Sequence, residues 1–419
     1  MADTTRRIGL SLGADLCWPA AFEALLSRLD LALPMDAHTV RFEVERCKIR
    51  PFSLEPEPRY DMVLDRLTHW YMHTREWVKK AVLLDGTYAL NNPWSIQGYE
   101  KHTSYCAMIR LGLPIPKTWM IPGKVNDPTD YPDLEVMVAR NNALFSLDEV
   151  GEAVGYPAFF KPYDGGGWVG VKRVTNAAEL HAAYDASGKR IHHLQAAVKD
   201  WDVFVRGLGV GPQVGLLPYD PEQPQHERYR VDFNFLTATE WEQAQKITRV
   251  INAFHGWDFN SCEMLRADGV LHPIDFANAC PDSQVTSLHF HFPWLVKALL
   301  KWTIFCTATG RSPTLNADWT PYLEIADTPG LSFDERLDRY DALAREHFQA
   351  EAFEAFCEEH LADLDTIALD YFGTDEFKAV VREKVTAVFP AHEVTQFTDH
   401  FFGLVQFWRQ TESDRLGVT

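Results

Sequence analysis

The alternation of apolar and polar positions near the start of the chain predicts a small α/β layer. "RIGLSLG" followed by "AAFEALLSRLDLAL" indicates a strand, a glycine turn and a helix. A short strand over 62–64, a helix that carries Trp70 and Trp77, and a turn at Asp85 come next. Because strands and helices alternate, we expect residues 1–95 to form one small α/β domain.

The middle of the chain alternates between helical and β-rich stretches. A helix is expected through "GYEKHTSYCAMIRLGL", and a second helix begins at a Ser-x-x-Glu capping box from Ser146 to Glu149. The polar residues, prolines and glycines of 122–146 predict an extended connection. Further strands are expected in "HLQAAV", "DVFVRGLGVGPQVGLLPY" and "RYRVDFNFL".

Two later patterns complete the predicted organisation. "TEWEQAQKITRVINAFHG" carries apolar residues on one helical face, and "FNSCEMLRADGVLHPIDFANA" indicates a hairpin with a turn at 267–269. After about residue 311 the chain becomes acidic and helical. We therefore expect three domains, at 1–95, 96–310 and 311–419.

Composition narrows the classes of function. The 419 residues carry a net charge of −19, which argues against nucleic-acid or anionic-membrane partners, although a local basic site could hold a phosphate. The seven cysteines lack regular spacing and indicate free thiols in a reducing compartment. The apolar start is broken by Gly13 and Asp15, and no run of about 18 apolar residues occurs, so a cytoplasmic protein is expected.

The triple glycine in "YPAFFKPYDGGGWVGVKRV" raises the question of a phosphate-binding loop. "GGGWVG" matches the dinucleotide pattern, but both that loop and a P-loop must lead directly into a helix. Here β-branched "VKRV" follows, the next helix starts near Asn176, and Val171 stands where a P-loop has its lysine. The pattern therefore predicts strand, glycine loop, strand.

Such a loop is either a mobile turn or a cover that donates backbone N–H groups to phosphates. The second interpretation needs cations, and Lys161 before the loop and Lys101 in the preceding helix are the candidates. Glu263 and Asp275 lie on the two strands of the predicted hairpin, with Asn278 beyond them. Two carboxylates and an amide oxygen suit a magnesium ion shared with phosphates, although acids at a hairpin end are often only solvated.

Taken in order, these features resemble the ATP-grasp family over roughly residues 60–292. "NNPWSIQGYEKHTSYCAMIRLGLPIPKTWMIP" looks like the family's lysine-bearing entry, and "GYPAFFKPYDGGGWVGVKRV" looks like its lysine strand and phosphate-covering loop. "HLQAAVKDWDVFVRG" looks like its hinge, and "GVLHPIDFANACPDS" looks like its metal-binding hairpin. The resemblance implies an ATP-grasp fold with a small N-terminal α/β domain, a glycine loop at 164–170, a hinge at about 195–202 and an all-α C-terminal extension.

The resemblance also implies roles for particular residues. Lys101 and Lys161 would contact the ATP phosphates, and Asp202 would bind the ribose hydroxyls. Arg230 would stabilise the acyl phosphate or the transferred phosphoryl group, with Lys161 as the second catalytic residue. The resemblance implies three further sets of residues. The phosphates would be covered by Gly165, Gly166 and Gly167, and the adenine would be bound by Gln195, Ala196, Ala197 and Val198. The metal ion, magnesium or manganese in its place, would be held by Glu263, Asp275 and Asn278.

Two departures from the family pattern concern this same site. The family's Glu-x-Asn is replaced by Asp275 and Asn278, which are one residue further apart, and Ala196 stands where an acid usually follows the hinge glutamine. The implied activity is a carboxylate–amine ligase that works through an acyl phosphate on small-molecule substrates. A small-molecule kinase and a non-catalytic nucleotide-binding or scaffolding protein are the alternatives, and a homodimer remains open.

Other residues carry weaker expectations. Arg66 follows a predicted strand in the layer where relatives bind the acceptor substrate. His289 and His291 would share one face if "SLHFHFPW" is a strand, and packing against Trp294 is favoured over substrate binding. His192 and His193 show no partner in the sequence and are expected to be exposed. Cys262 and Cys280 are expected to be small core residues.

Overall fold

The computed structural model describes residues 2–35, 38–68, 71–95, 100–125, 133–141, 143–164, 166–278 and 280–418. The chain divides into two compact units. The large unit comprises Met1–Ile96, Phe204–Cys262 and Ala279–Thr419, and the small unit comprises Gln97–Val203 and Glu263–Asn278. The three domain boundaries expected from the sequence stay a prediction. Trp70, expected on a helix, lies outside the described residues.

The large unit begins with the α/β layer. Its elements are β1 (Ala2–Ser11), α1 (Cys17–Leu29), β2 (Leu33–Met35), β3 (His38–Arg46), β4 (Met62–Asp65), α2 (Met72–Leu84) and β5 (Tyr88–Leu90). The sheet has the order β2-β3-β1-β4-β5, and every pair except β2–β3 is parallel. All four residues of β4 are buried, as expected for a parallel strand inside a sheet. Because the chain moves from β1 to β3 on one side and to β4 on the other, the carboxyl ends of β1 and β4 flank a topological switch point.

The small unit contains an antiparallel sheet backed by helices. Its elements are α3 (Lys101–Arg110), β6 (Thr118–Ile121), α4 (Leu134–Asn141), α5 (Leu147–Val154), β7 (Ala158–Pro162), β8 (Lys172–Val174), α6 (Ala177–Asp185) and β9 (His192–Ala196). The strand order is β6-β9-β7-β8. The expected strand–loop–strand around the glycines is confirmed. The extended connection predicted over 122–146 is wrong in part, because α4 interrupts it.

The hairpin that carries the two acids follows a longer β-rich stretch. Strands β10 (Val203–Val210) and β11 (Gln213–Pro218), helix α7 (Ala238–His255), and strands β12 (Phe259–Ala267) and β13 (Val270–Asp275) come in this order. The four strands form a sheet in the order β11-β10-β12-β13. The predicted turn is confirmed, with Asp268 at φ 51° and Gly269 at φ 74°, as a two-residue hairpin loop with positive φ requires.

The strand predicted in "RYRVDFNFL" is wrong. Tyr229 makes one isolated bridge with Tyr219, and the described residues 228–236 contain no strand. The Asn234 N–H donates to the Asp232 Oδ1 at 2.9 Å. Such local side-chain bonds compete with a sheet ladder for the backbone, which the apolar alternation alone does not show.

The C-terminal region is helical, so the expected mixed α/β fold with a helical extension is confirmed. Its helices are α8 (Val285–Leu288), α9 (Phe292–Ala308), α10 (Thr320–Asp327), α11 (Phe333–His347), α12 (Ala350–His360), α13 (Leu364–Tyr371), α14 (Asp375–Val388) and α15 (Val394–Leu416). Helix α9 is buried on nearly all sides and packs against β1, β4, α12, α13 and α15. None of the described helices has both the length and the apolarity needed to cross a membrane.

A buried lysine ties α9 to two later helices. Lys297 Nζ donates to Asp365 Oδ1 of α13 and to Glu412 Oε1 of α15, each at 2.8 Å. Burial opposes ionisation of Glu412, but the hydrogen bond from Arg415 and the charge of Lys297 hold its pKa at about 2. Lys297 is thus the buried cation that two carboxylates share, and the exposed Arg415 is a second partner of Glu412.

Replacing Lys297 with methionine should leave both carboxylates without their buried cation. We expect the free energy of unfolding at pH 7 to fall by about 3 kcal/mol, because breaking a buried ion pair from one side leaves charge uncompensated. Urea unfolding followed by circular dichroism measures this change. Lys378→Met is the matched control, because it removes an exposed pair with Asp399 and should cost less than about 1 kcal/mol.

The same comparison has a pH dependence. The pKa of Glu412 is lowered from 4.5 to about 2, so its stabilisation is fully present above pH 4.5 and is lost as the pH falls through about 2. The difference in unfolding free energy between wild type and Lys297→Met should therefore shrink on acidification below pH 4.5. Equal losses for Lys297→Met and Lys378→Met at pH 7 would contradict this role.

Candidate functional site

A β-bulge sets the positions of the two acids in the small unit. Glu263 pairs with Asp275, but the next residue, Met264, pairs with Pro273, so Ile274 is the extra residue of strand β13. Without the bulge Glu263 would face Ile274, and Asp275 would point to the other side of the sheet. With it, the two carboxylates lie opposite each other on one face.

Lys101 is the first residue of helix α3 and forms an ion pair with Asp275. The Lys101 backbone N–H donates to the Tyr163 carbonyl at 3.2 Å, which anchors the start of the helix beside the end of β7. The Lys101 side chain is 9% exposed and that of Asp275 is 33% exposed. One predicted phosphate ligand and one predicted metal ligand are therefore direct partners.

Lys161 lies beside them on β7. Its neighbour Phe160 packs into the core of the small unit, so the alternation of the strand turns Lys161 to the other face. The Lys161 Nζ donates to Tyr105 Oη at 2.6 Å, to Gln195 Oε1 at 2.7 Å and to the Ile274 carbonyl at 3.1 Å. These acceptors use all three of its protons. Burial, reinforced by the charge of Lys101, lowers the pKa of Lys161 to about 8, although Asp275 and Glu263 oppose the shift.

Tyr105 was not recognised as a site residue from the sequence. Its Oη donates to the Ile274 carbonyl at 2.6 Å and accepts from Lys161, while its ring packs edge-on against Phe276. The available signal was its position four residues after Lys101, which puts both side chains on one face of α3. Tyr105 thus links α3, β7 and the bulge.

Several groups of the predicted adenine-binding segment, residues 195–198, already form hydrogen bonds within the protein. The Gln195 side chain accepts from Lys161 and donates to Thr118 Oγ1 at 2.8 Å. The Ala196 and Ala197 N–H groups donate to the carbonyls of Lys117 and Pro157, at 2.9 and 3.0 Å. An adenine ring bound here would have to form its hydrogen bonds with backbone atoms of 195–198 other than these two N–H groups. The adenine-binding role of this segment stays a prediction.

Asp202, the predicted ribose ligand, pairs with Arg266 through two hydrogen bonds of 2.9 and 2.7 Å. The hydrogen bond from Arg266 lowers the pKa of the Asp202 carboxyl, which is exposed to solvent. The side chain is therefore ionised and already oriented. A ribose would have to share this carboxylate with the guanidinium.

The glycine loop is described from Gly166 onward, and Gly165 lies outside the described residues. Gly167 and Gly170 have φ values of 65° and 78°, in the left-handed region that favours glycine. A Cβ atom at Gly166 or Gly167 would meet nothing within 4 Å, so the loop has open space beside it. A role in covering phosphates is compatible with that space and stays a prediction.

Arg230 and Asn278 are the remaining predicted site residues. Arg230 belongs to the large unit, where its N–H donates to the Pro218 carbonyl at 3.0 Å and its side chain is exposed. Asn278 is half-buried in the small unit. The bulge precedes Asp275 and so does not shorten the spacing to Asn278. The roles of Arg230 and Asn278 stay predictions.

Within the described ranges, no group of three or more histidine, cysteine, aspartate or glutamate side chains could hold a metal ion by itself. The two carboxylates of Glu263 and Asp275 nevertheless share one face, and oxygen ligands of this kind fit magnesium when phosphate oxygens complete its coordination. The donor set therefore fits an ion that arrives with a nucleotide better than a resident structural ion.

A second polar cluster lies in the large unit at the carboxyl ends of β1 and β4. Arg66 Nη2 donates to the Pro281 carbonyl at 2.7 Å, and its guanidinium is 3.4 Å from the Asp15 carboxylate. Gln284 Nε2 donates to Asp15 Oδ1 at 3.3 Å. In the part of the chain that the structure describes, Arg66 Nη1 and Gln284 Oε1 are buried without a hydrogen-bond partner. Two such atoms on side chains that share the partner Asp15 are unusual in a folded protein.

One expectation for the histidines is wrong, and the condition attached to another is not met. His192 and His193 are buried rather than exposed, and His192 stacks on Phe160 with ring centroids 4.2 Å apart. His289 and His291 lie in a short 3-10 turn rather than a strand, and the His291 Nε2–H donates to the Arg230 carbonyl at 2.8 Å. Of the two cysteines expected in the core, Cys262 is fully buried and Cys280 is half-buried.

No protein-family model matches the chain. Over 117 residues it is 32% identical to a D-alanine–D-alanine ligase of Heliobacterium modesticaldum, an alignment that covers 26% of this chain and 32% of that protein. The chain thus matches about a third of the length of this curated relative.

Several solved structures are similar. A RimK-domain ATP-grasp protein from Sphaerobacter thermophilus has 16% identity and a TM-score of 0.44, covering 70% of this chain and 97% of its own. The D-alanine–D-alanine ligase of Bacillus anthracis complexed with ATP has 13% identity and a TM-score of 0.45, and the match covers 83% of this chain and 99% of that one. The VanG D-Ala:D-Ser ligase of Enterococcus faecalis has 13% identity and a TM-score of 0.45, and the match covers 81% of this chain and 100% of that one. The resemblance to ATP-grasp proteins expected from the motifs is confirmed.

The environment of Lys161 gives a direct test of the site. In the wild type, NMR titration of protein labelled at the lysine Cε should show one lysine with a pKa of about 8, absent from Lys161→Arg. Asp275→Asn should lower this pKa further, because a neighbouring carboxylate favours the ammonium form. Lys101→Met should raise it, because a neighbouring cation opposes that form. Wild-type titration of Lys161 above pH 10, or shifts of the same sign in both variants, would contradict the geometry.

Proposed function

We propose that the protein is an ATP- and magnesium-dependent ligase that joins a carboxylic acid to an amine. The observation that carries the proposal is the meeting of Lys101, Lys161, Glu263 and Asp275 in one unit, with the two carboxylates on one face of a hairpin. The partial sequence match to a D-alanine–D-alanine ligase supports it.

The proposed chemistry needs positioning and charge neutralisation more than covalent catalysis. A carboxylate oxygen of the substrate attacks the γ-phosphorus of ATP, and ADP leaves with the electrons of the broken P–O bond. The amine then attacks the carbonyl carbon of the acyl phosphate, and inorganic phosphate leaves. Lys101 and Lys161 would neutralise the phosphates, and Glu263 and Asp275 would hold magnesium, which supplies further neutralisation when bound.

The ion pair between Lys101 and Asp275 is compatible with this role. A phosphate oxygen and a magnesium ion would replace the two partners, Lys101 turning to the phosphate and Asp275 to the metal. Each charge therefore keeps an opposite charge throughout, so neither is left unpaired in a partly buried site. Binding of ATP and binding of magnesium should accordingly depend on each other.

The large unit supplies a candidate site for an α-amino acid. Arg66 Nη1 is a buried donor that has no partner among the described residues, and it fits a substrate carboxylate. Gln284 Oε1 is a buried acceptor that likewise has no partner in the described ranges, and together with the Asp15 carboxylate it fits an ammonium group. Both charges of a zwitterion would thus be matched. D-alanine, the amino acid in the name of the curated relative, belongs to this substrate class.

The nucleotide site can be tested by calorimetry of ATP with and without magnesium. We expect magnesium-dependent binding in the wild type and binding at least about tenfold weaker in Lys161→Ala, because charge-assisted hydrogen bonds contribute about 1.5–3 kcal/mol. Asp275→Ala should lose the magnesium dependence. Lys378→Ala, on the exposed surface of α14 in the large unit, is the control and should bind as the wild type does.

Turnover then separates the ligase from its alternatives. ADP release that requires both an amino-acid carboxylate and an amine, with an amide product seen by mass spectrometry, is the expected result. Release with the acid alone and a stable phosphorylated product would indicate a kinase. Binding of ATP without ADP release, across a panel of amino-acid pairs, would indicate a non-catalytic nucleotide-binding protein.

Arg66→Met tests the amino-acid site separately from the nucleotide site. We expect the KM for the amino-acid substrate to rise at least about tenfold, because a charged hydrogen-bond partner of the carboxylate is lost. The Kd of magnesium–ATP should stay unchanged. Arg59→Met, at a guanidinium that pairs with Glu45 in the same unit, is the matched control. A fall in ATP affinity with unchanged KM would assign Arg66 to another role.

A further inference from the structure

His193 lies beside Lys161 in the small unit, although nothing in the sequence indicated a role for it. It lies on β9 directly opposite Lys161 on β7, and opposite residues of an antiparallel pair point to the same face. Its ring lies 5.4 Å from the Tyr105 ring, whose hydroxyl accepts from Lys161. His193 is 1% exposed. A polar side chain is thus buried beside the two lysines.

One ring nitrogen of His193 has a partner. His193 Nε2 lies 3.4 Å from Nδ1 of His102, on helix α3, and the two rings face each other with centroids 5.5 Å apart. His102 Nε2 in turn lies 3.7 Å from the Cys106 Sγ. If the thiol donates to His102, then His102 Nδ1–H donates to His193 Nε2. In that arrangement His193 carries its own proton on Nδ1.

The other ring nitrogen, His193 Nδ1, is buried and has no hydrogen-bond partner among the described residues. Buried polar atoms are nearly always bonded, so this one needs an explanation. In the tautomer described above, Nδ1 is a donor and needs an acceptor, which the neighbouring Lys161 ammonium, itself only a donor, cannot be. A phosphate oxygen of a nucleotide bound beside Lys161 would be such an acceptor.

We propose that His193 donates its Nδ1–H to a phosphate oxygen of the bound nucleotide, with His102 as the positioning residue that fixes this tautomer. The inference rests on the proposed nucleotide site. It adds a neutral donor to the two lysines, which supply charge but present no fixed direction. Burial, with the charge of Lys161, lowers the pKa of His193 to about 3, so the imidazole is neutral at physiological pH.

Two substitutions of His193 distinguish the ring nitrogens. Asparagine places an N–H near the position of Nδ1, whereas glutamine places one near Nε2. Calorimetry with magnesium and the non-hydrolysable analogue AMP-PNP should show His193→Asn within about threefold of the wild type. His193→Gln and His193→Phe should be weaker by about tenfold or more, the range for a hydrogen bond to a charged group.

NMR of the wild type tests the tautomer without any substitution at His193. In protein labelled with ¹⁵N-histidine, His193 should carry its proton on Nδ1, and that ¹⁵N signal should shift when AMP-PNP and magnesium are added. His102→Phe should move the proton of His193 toward Nε2. These spectra decide the question even if a His193 variant fails to fold.

The outcomes separate this inference from the proposed function. Wild-type protein that binds no AMP-PNP overturns both. Wild-type binding with equal affinities for His193→Asn, His193→Gln and His193→Phe, or an Nδ1 signal that does not respond to the nucleotide, overturns the role of His193 and leaves the ligase proposal standing. Rescue by asparagine alone, with a shifted Nδ1 signal, supports the phosphate contact.

Discussion

In strand β13, Ile274 has no partner in the ladder, and its carbonyl oxygen accepts from both Lys161 and Tyr105. The rest of the candidate site depends on this one extra residue. It moves Asp275 opposite Glu263, and it turns a backbone acceptor toward β7 and α3 instead of toward the neighbouring strand. A regular hairpin would have separated the two carboxylates and left the Lys161 ammonium with one acceptor fewer. Bulges of this kind are features that re-aim side chains, which explains why it stands next to the charged residues.

Around the bulge, the two cations Lys101 and Lys161 are balanced by the two carboxylates of Glu263 and Asp275. A contribution to the stability of the fold is a poor explanation for their burial. Buried ion pairs contribute little net stability, because the cost of removing both ions from water nearly cancels their attraction. Lys297, by contrast, ties α9 to α13 and α15, and its structural role is clear. Lys101 and Lys161 also connect α3 and β7 with β13, but Lys161 does so through three neutral acceptors. Their burial beside two carboxylates fits a site in which a ligand exchanges partners, since perturbed charged groups concentrate where chemistry occurs.

The sequence predicted the parts of the site that depend on residues close to one another in the chain. "VKRV" after the glycines indicated a strand, and the turn at Asp268 and Gly269 followed from their residue types. The bulge at Ile274 could not be predicted, because it is a property of the pairing between two strands and not of either strand alone. His193 and Gln284 were missed for a related reason: their partners come from segments far away in the chain. The strand expected after Tyr229 failed because Asp232 binds the backbone locally, a competition that apolar periodicity does not register.

The three internal acceptors of Lys161 bear on how a phosphate could bind there. Tyr105 and Gln195 offer neutral oxygens, so replacing one of them with a charged phosphate oxygen gives a stronger hydrogen bond, and the displaced acceptor still has Ile274 or Thr118 as a neighbour. Because the pKa of Lys161 is about 8, a fraction of the side chain is neutral in mildly alkaline solution. An anion bound beside it favours the ammonium form and would raise that pKa. In the proposed site, nucleotide binding at this lysine would therefore be coupled to the uptake of a proton above about pH 8, and the affinity would fall as the pH rises further. The lowered pKa of Lys161 would thus favour ligands that bring their own negative charge.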